Sequence, residues 1–245
     1  MDEVELRGKA ALVTGAAVRV GRAIALELAR AGMDVAVHYR DSAEEAEATA
    51  AGVRALGSRA VLVQGDQATD AGRIVAEAAR GLGRLDLLVC SAAAFEKVPA
   101  AELDRARWDA MLAANLSGPF FLMQAAEPHL RASRGAIVNL LDLLGTSQVW
   151  KGYAHYAAAK AGLTALTRLL ALEWAPAVRV NGVAPGTVLF PDGLPQDEQE
   201  RIVARIPAGQ PGAPEDVARA VRFLASQPFV SGQVLAVDGA RSTNP

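Results

Sequence analysis

Short apolar runs alternate with amphipathic stretches along the whole chain. Most apolar runs are continuous, which is typical of strands that are covered on both faces. They predict strands at Ala10–Thr14, Asp34–Tyr39, Ala60–Gln64, Leu85–Cys90, Ala136–Leu141, Val178–Val183 and Gln233–Val237. The amphipathic stretches predict helices near Val20–Ala31, Ala43–Leu56, Asp70–Gly81, Asp104–Leu130, Tyr153–Trp174 and Pro214–Ser226. This alternation predicts an α/β protein with a doubly wound, parallel, seven-stranded, Rossmann-like sheet and helices on both faces.

One irregular stretch interrupts the alternation. It runs from Gly186 to Pro195 and is followed by a short helix candidate at Gln196–Ile206. Because the strand–helix pattern resumes afterwards, we interpret residues 187–207 as a lid over the site, not as a domain boundary. We therefore expect a single domain over residues 1–245.

Composition narrows the class of protein. The chain has 245 residues, a net charge of −2 and one cysteine, Cys90. A balanced charge predicts neither nucleic-acid nor anionic-membrane binding, and a lone cysteine fits a reducing cytoplasm. The acidic first residues lead into no apolar run, so no signal peptide is predicted, and no run approaches the roughly 18 residues of a membrane span. We expect a cytoplasmic protein that acts on a small molecule, with no metal site.

The turn after the first strand has the composition of a phosphate-binding loop. It reads Thr14-Gly15-Ala16-Ala17-Val18-Arg19-Val20-Gly21 and leads into a helix. Gly15 permits a tight turn, and Gly21 allows the helix N-terminus to approach a pyrophosphate. Gly15, Arg19, Val20 and Gly21 are therefore candidate cofactor contacts.

The turn after the second strand bears on the choice of cofactor. His38, Arg40 and Ser42 lie there, and Arg19 lies in the neighbouring loop. A 2′-phosphate calls for arginine where an NAD-selective site has an acid, so these residues predict NADPH preference. Asp41 would repel the phosphate unless it points away. The alternative is that both arginines are solvated surface residues.

Polar residues also follow the third and fourth strands. Asp66 and Gln67 suit an adenine contact, although Asp66 also suits a helix cap. Ser91 and the alanines after it allow close approach of a cofactor backbone, or simply pack in the core.

Tyr156 and Lys160 are four residues apart, so they share one face of a helix about a turn from each other. A nearby cation favours the phenolate and lowers the pKa of a tyrosine. The pair therefore predicts a proton donor, although tyrosine and lysine at this spacing also occur on ordinary amphipathic helices.

Together these motifs resemble the short-chain dehydrogenase/reductase family over essentially the whole chain. The resemblance rests on Thr14-Gly15 through Gly21, Asn115, Tyr156-x-x-x-Lys160, Asn181, Pro185-Gly186 and Val237-Asp238-Gly239. It implies that Tyr156 is the general acid, that Lys160 lowers its pKa and holds the nicotinamide ribose, and that Asn115 supports a relay water at a helix irregularity. It also implies that Pro185, Gly186 and Val188 border the nicotinamide. The resemblance further implies a homo-oligomer, a tetramer as in the family, that forms through the Asp104–Leu130 and Tyr153–Trp174 helices.

Position 142 departs from the pattern of that family, which has a serine after its fifth strand. Asp142 stands there, fourteen residues before Tyr156. An ionised carboxylate only accepts hydrogen bonds, so it favours a substrate with N–H groups over a ketone. The alternative is that Asp142 belongs to the turn and Ser147 takes the role of that serine.

Arg19, His38-Tyr39 with Ser42, and Asp142 together are similar to the pteridine reductase branch. That branch implies an aromatic residue at Phe95 which stacks on a flat pterin; Phe95 also suits an apolar lid or interface. Our first hypothesis is an NADPH-dependent pterin reductase. The others are a carbonyl reductase, for instance of a 3-oxoacyl thioester, and a catalytically idle nucleotide-binding scaffold.

Overall fold

The computed structural model describes residues 3–191 and 193–243. Asp192, which falls inside the predicted lid, and the first and last two residues of the predicted domain lie outside the described residues. The strands are β1 (Ala10–Val13), β2 (Asp34–Tyr39), β3 (Ala60–Gln64), β4 (Leu87–Cys90), β5 (Ala136–Leu140), β6 (Arg179–Pro185) and β7 (Val234–Val237). The helices are α1 (Arg19–Arg30), α2 (Ala43–Ala55), α3 (Ala71–Leu82), α4 (Arg105–Leu112), α5 (Gly118–Ser133), α6 (Ala154–Glu173), α7 (Gln196–Val203) and α8 (Pro214–Ser226).

The seven strands form one parallel sheet in the order β3-β2-β1-β4-β5-β6-β7. Helices α1, α2 and α8 pack on one face, and α3, α5 and α6 pack on the other. All four residues of β1 are buried, as the continuous apolar pattern predicts for a central strand. The predicted fold class is confirmed.

The long helix predicted over Asp104–Leu130 is interrupted. Residues Ala113–Ser117 form a π-helical turn between α4 and α5. A π turn shifts the register of the helix and often marks a functional position. The irregularity expected near Asn115 is therefore present, and it separates α4 from α5.

The strand order reverses between β1 and β4, since β2 and β3 lie to one side and β5 to β7 to the other. In open parallel sheets a crevice forms at such a reversal, outside the carboxyl ends of the strands. The turns that carry candidate residues lie at these carboxyl ends.

Candidate active site

A cleft of about 910 Å³ opens at the carboxyl ends of the strands. Most of the residues predicted for the site line it: Gly15, Arg19, Val20, Gly21, His38, Arg40, Ser42, Asp66, Gln67, Ser91, Phe95, Asp142, Tyr156, Lys160, Pro185 and Gly186. Asn115, Val188 and Ser147 are not among its lining residues. The sheet topology has thus brought together residues from six different strand ends.

The first turn has the close contacts expected of a phosphate loop. Gly15 has a left-handed φ of 63°, and a Cβ there would lie 2.9 Å from the Cα of Ala92. A Cβ at Gly21 would overlap the carbonyl oxygen of Gly15. These glycines leave an open N-terminus of α1 facing the cleft, which fits the pyrophosphate of a dinucleotide.

Arg19 begins α1 with a φ of 53°, a conformation that favours glycine. Its Nη2 atom lies 3.5 Å from the carbonyl oxygen of Phe190, to which it donates. The strained backbone therefore aims this exposed guanidinium across the cleft toward the predicted lid. Segment 187–207 does border the cleft, through Leu189, Phe190, Pro191, Leu194, Glu198, Ile202 and Arg205.

Arg40 is paired with acids at the same end of the cleft. Its Nε donates to Asp41 Oδ2 at 2.7 Å, and its Nη1 lies 3.9 Å from Asp66 Oδ2. The hydrogen bond and charge of Asp41 raise the pKa of Arg40. Asp41 thus forms an ion pair with Arg40. Ser42 is the next residue along the chain and directly precedes α2.

His38 is a supporting residue of the loop. Its side chain is 2% exposed. Gly15 N–H donates to Nδ1 at 3.3 Å, and Nε2 donates to the Gly65 carbonyl oxygen at 3.0 Å, so both ring nitrogens are used by backbone groups. Burial lowers the pKa of His38 to about 4. Its imidazole is therefore neutral and holds the phosphate turn against the residue that follows β3.

Gln67, like His38, supports the loops of the cleft through hydrogen bonds to the backbone. Its Nε2 donates to the carbonyl oxygens of Ala92 and Ala114 at 3.1 and 2.7 Å. The side-chain amide is therefore not free to donate to adenine. Asp66 accepts from Ala68 N–H at 2.9 Å, which closes a turn before α3, whereas the residue that precedes α3 is Asp70, so Asp66 does not cap that helix.

Thr14 organises the turn after β4. Its hydroxyl accepts from the N–H groups of Ser91 and Ala92, both at 3.0 Å. Thr14 entered the sequence interpretation only as part of a motif, and its contact across β1 and β4 explains why that turn stays close to the phosphate loop.

Tyr156 and Asp142 form the centre of the site. The Tyr156 hydroxyl donates to Asp142 Oδ2 at 2.9 Å, and Leu144 N–H donates to Asp142 Oδ1 at 2.8 Å. Lys160 Nζ donates to the Leu140 carbonyl oxygen at 2.7 Å and lies 5.7 Å from the centre of the Tyr156 ring. A phenol, a carboxyl group and an ammonium group therefore share one buried corner.

The electrostatics differ from the sequence prediction that Lys160 lowers the pKa of Tyr156. Burial, and then the charge and hydrogen bond of Asp142, raise the pKa of Tyr156 far above its usual value. Burial also raises the pKa of Asp142 and lowers the pKa of Lys160 to about 8. Burial and the Asp142 carboxylate thus act against the lowering of the Tyr156 pKa that the sequence predicted, and the role of Tyr156 as proton donor stays a prediction.

Asn115 lies in the π-helical turn and is 1% exposed. Its Nδ2 donates to the carbonyl oxygens of Ala94 and Met111 at 3.0 and 3.2 Å. The side chain thus ties the helix break to the turn after β4. Its Oδ1 is buried without a hydrogen-bond partner among the described residues.

Two predicted positions lie away from the cleft. Val188 is 9% exposed and packs in the core with residues of α8, so its side chain does not line the cleft. Ser147 is exposed, whereas Asp142 is in the cleft. The structure therefore places Asp142 beside Tyr156 at the position where the family has a serine.

An aromatic wall extends from Tyr156. Phe95 meets the Tyr156 ring edge-on with centroids 4.8 Å apart, and it stacks on Tyr153 at 4.7 Å. Trp150 continues the wall, with its centroid 6.2 Å from that of Tyr153. One face of Phe95 is thus covered by Tyr153, which the sequence interpretation had not foreseen.

Sequence reasoning missed Arg241, Trp150, Lys97 and Lys151, all of which line the cleft. They come from loops and from the segment after β7, which carry no periodic pattern. Arg241 is 7% exposed although the residues around it are exposed, and only the folded chain reveals that contrast.

No helix in the described part of the chain is long and apolar enough to cross a membrane. Within residues 3–191 and 193–243, no group of three or more His, Cys, Asp or Glu side chains is arranged to hold a metal ion.

Comparison with known proteins agrees with this geometry. Residues 15–240 match the family model described as enoyl-(acyl carrier protein) reductase. The chain is 36% identical to the 3-oxoacyl-[acyl-carrier-protein] reductase of Staphylococcus aureus over 94% of its own length and 97% of the relative's. It is 42% identical to the cis-4-hydroxycyclohexanecarboxylate dehydrogenase of Sinomonas cyclohexanicum, over 94% and 95% of the two chains.

Solved structures show the same likeness. A dehydrogenase/reductase from Sinorhizobium meliloti 1021 superposes with a TM-score of 0.91 at 34% identity and covers 97% of each chain. A short-chain alcohol dehydrogenase structure from the same organism has a TM-score of 0.93 at 35% identity, over 98% of this chain and 99% of the other. The chain therefore belongs to the short-chain dehydrogenase/reductase family, whose members are oxidoreductases that use a nicotinamide cofactor.

Proposed function

We propose that the protein is an NADPH-dependent reductase of a carbonyl group, with Tyr156 as the proton donor. The observation that carries this proposal is the buried Tyr156 hydroxyl, which donates to Asp142 at 2.9 Å inside the cleft. The names of two relatives support a carbonyl–alcohol reaction, since one is a 3-oxoacyl reductase and the other a dehydrogenase of a hydroxycyclohexanecarboxylate.

Each residue of the site has its own role in the proposed reaction. When bound, the cofactor supplies the hydride. Tyr156 gives its proton to the substrate oxygen, and the positive charge of Lys160 stabilises the phenolate left behind. Burial raises the pKa of Asp142. When it is protonated, this carboxyl group donates a hydrogen bond to a carbonyl oxygen as a serine hydroxyl does.

NADPH preference is supported by the cations at the adenosine end. Arg19 and Arg40 both line the cleft beside the N-terminus of α1 and Ser42. Because Arg40 already pairs with Asp41, a bound 2′-phosphate competes with that carboxylate for the guanidinium. The preference therefore depends on Arg19 and Arg40 together.

A pterin is the second candidate substrate, and Asp142 is the observation that favours it. When ionised, this carboxylate accepts from N–H groups of a ring and suits delivery of a proton to an adjacent nitrogen. The wall of Phe95, Tyr153 and Trp150 offers a flat apolar surface for a planar ring. Asp142 rather than Ser147 faces the cleft, as the pterin hypothesis expected.

The deciding experiment follows cofactor oxidation with four substrates side by side: an acetoacetyl thioester, 4-oxocyclohexanecarboxylate, dihydrobiopterin and dihydrofolate. Each is measured with NADPH and with NADH. The proposal expects rapid turnover of a carbonyl compound and a clear advantage for NADPH. Turnover of only the pterins replaces the first candidate by the second. If correctly folded protein binds NADPH but turns over none of the four substrates, the hypothesis of a nucleotide-binding scaffold replaces both candidates.

A homo-oligomer, in line with the tetramer that the family resemblance implies, completes the proposal. An apolar groove runs between the π-helical turn with α5 and the middle of α6, lined by Leu116, Ser117, Phe120, Phe121, Gly162, Ala165, Leu166 and Leu169. Phe121 and Leu169 are 49% and 54% exposed in the single chain. A second copy that covers this groove removes these side chains from water.

A further inference from the structure

Arg241 enters the cleft from the turn that follows β7. The turn passes through Gly239 and Ala240, which have left-handed φ values of 61° and 68°. The Asp238 carboxylate caps it by accepting from Ala240 N–H and Ser242 N–H. This turn directs a single long side chain inward, and Arg241 is consequently 7% exposed and lines the cleft.

The guanidinium is held in a defined orientation. Nη1 donates to the Thr187 hydroxyl at 2.6 Å, and the group lies over the Trp150 ring at 4.8 Å from its centre. These two contacts fix the plane of the guanidinium. The remaining N–H groups of the fork can then act as a pre-oriented pair of donors.

Among residues 3–191 and 193–243, Arg241 has no carboxylate partner of its own. Within the described residues it makes no ion pair at 4.0 Å or less, and its one side-chain hydrogen bond is to a neutral hydroxyl. The two acids that act on its charge, Asp142 and Asp238, are each hydrogen-bonded by two other donors. A buried charge that is left without a partner is costly, so this position is suited to a ligand anion.

The other charges at this end of the cleft are mainly positive. Arg205 lines the cleft, and burial, followed by the positive charge of Arg205, lowers the pKa of Arg241. Lys97 and Lys151 also line the cleft, as do the acids Asp142 and Glu198. A negative group bound at Arg241 offsets this positive charge.

We propose that Arg241 binds a carboxylate carried by the substrate, so that the natural substrate is a carboxylated carbonyl compound or the corresponding alcohol. This inference rests on the proposed function and specifies the substrate class. The aromatic wall of Phe95, Tyr153 and Trp150 connects the two ends, because Phe95 touches Tyr156 and Trp150 lies under Arg241. A compact apolar substrate lies along this wall, with its reacting carbon at Tyr156 and its carboxylate at Arg241.

The first arm of the test measures binding without turnover. Benzoate and benzamide are titrated by calorimetry into the protein saturated with NADP⁺, using wild type, Arg241→Met, Arg241→Lys and Arg222→Met. Arg222 is a matched control because it lies on the surface and pairs with Glu27. We expect benzoate to bind wild type and Arg222→Met equally, and Arg241→Met about 10- to 100-fold more weakly. Arg241→Lys keeps the charge but not the fork, so it binds with intermediate affinity.

The second arm measures turnover of 4-oxocyclohexanecarboxylate and of cyclohexanone. Arg241→Met is expected to raise KM for 4-oxocyclohexanecarboxylate about 10- to 100-fold and to lower kcat/KM for cyclohexanone by a much smaller factor, whereas Arg222→Met keeps the wild-type values for both. Equal benzoate affinity in wild type and Arg241→Met, or equal preference of wild type for both ketones, overturns the inference while the carbonyl function stands. If benzoate binding depends on Arg241 but neither ketone is reduced, the anion site stands and the carbonyl function is overturned.

Discussion

Two ionisable groups lie at hydrogen-bond distance from each other at the centre of this site. The Tyr156 hydroxyl donates to Asp142, and burial disfavours ionisation of both groups. Sequence considerations paired Tyr156 with Lys160 because the two are one helical turn apart. They could not show that a carboxylate fourteen residues away would lie closer to the phenol than the ammonium group does.

Replacement of Tyr156 by phenylalanine removes the proposed proton donor. Because positioned proton transfer contributes about 10²–10⁴-fold, we expect kcat to fall by that factor with little change in the Kd for NADPH. Steady-state kinetics and fluorescence titration of the cofactor measure the two quantities. Tyr153→Phe is the matched control, since that hydroxyl makes no hydrogen bond among the described residues. Near-normal turnover by Tyr156→Phe contradicts the role of the phenol.

Asp142→Ser separates the two substrate classes at the level of one residue. A serine hydroxyl donates to a ketone oxygen at every pH, so carbonyl reduction is expected to persist or increase in this variant. Pterin reduction is expected to be lost, because no carboxylate remains to accept from the ring N–H groups. Parallel kcat/KM measurements with an acetoacetyl thioester and dihydrobiopterin check this outcome. Loss of carbonyl reduction together with retained pterin reduction would contradict it.

His38 predicts a specific dependence of stability on pH. Its pKa is lowered from 6.5 to about 4 in the folded chain, so its contribution to stability is complete above pH 6.5 and is lost as the pH falls through 4. The loss amounts to about 3 kcal/mol, since one pKa unit corresponds to about 1.4 kcal/mol. Urea unfolding at pH 7, 5.5 and 4 measures it. His38→Asn should show a smaller loss between pH 7 and 4, whereas the exposed His129→Asn should behave as wild type does.

At the scale of secondary-structure elements, the first residue of α1 has a strained backbone conformation. Arg19 occupies a left-handed position that glycine fills without strain. The sequence showed an arginine where a dinucleotide loop often has glycine, and the structure shows that the backbone keeps the conformation suited to glycine. The strain is retained where the side chain borders the cofactor cleft, which fits a role in binding.

Arg19→Gly should relieve this strain while it removes a cation. We expect the variant to be about 0.5–1 kcal/mol more stable and to lose affinity for NADPH but not for NADH. Arg134→Gly is the matched control, because Arg134 also has a left-handed φ, of 50°, at the end of α5 away from the cleft. Chemical unfolding and cofactor titration separate the two effects. Equal loss of both cofactors in Arg19→Gly would show that the side chain does not select the phosphate.

The break between α4 and α5 is a feature that the apolar periodicity alone does not predict. The apolar pattern predicted one helix over Asp104–Leu130, and only the family resemblance indicated an irregularity at Asn115. In the structure the π turn places Asn115 so that its amide reaches Ala94 in the turn after β4. A contact between distant segments, not local propensity, stabilises that break.

At the scale of the whole molecule, the apolar groove between α5 and α6 predicts self-association. Leu169→Glu places a charge on a side chain that is 54% exposed in the groove, and we expect a shift toward smaller species in analytical ultracentrifugation. Leu56→Glu is the control, since Leu56 is 42% exposed at the end of α2, outside the groove. A wild type that sediments as a single chain would contradict the proposal.

The sequence by itself determined the order of strands and helices and the fold class, and most of the site residues that it predicted do line the cleft. It could do so because continuous apolar runs specify buried strands, and parallel strands place the residues that follow them at one edge. Tertiary structure decided the electrostatic state of Tyr156, the supporting role of His38 and the presence of Arg241 in the site. These depend on burial and on contacts between residues far apart in the chain, such as Arg241 over Trp150, and no local pattern encodes them.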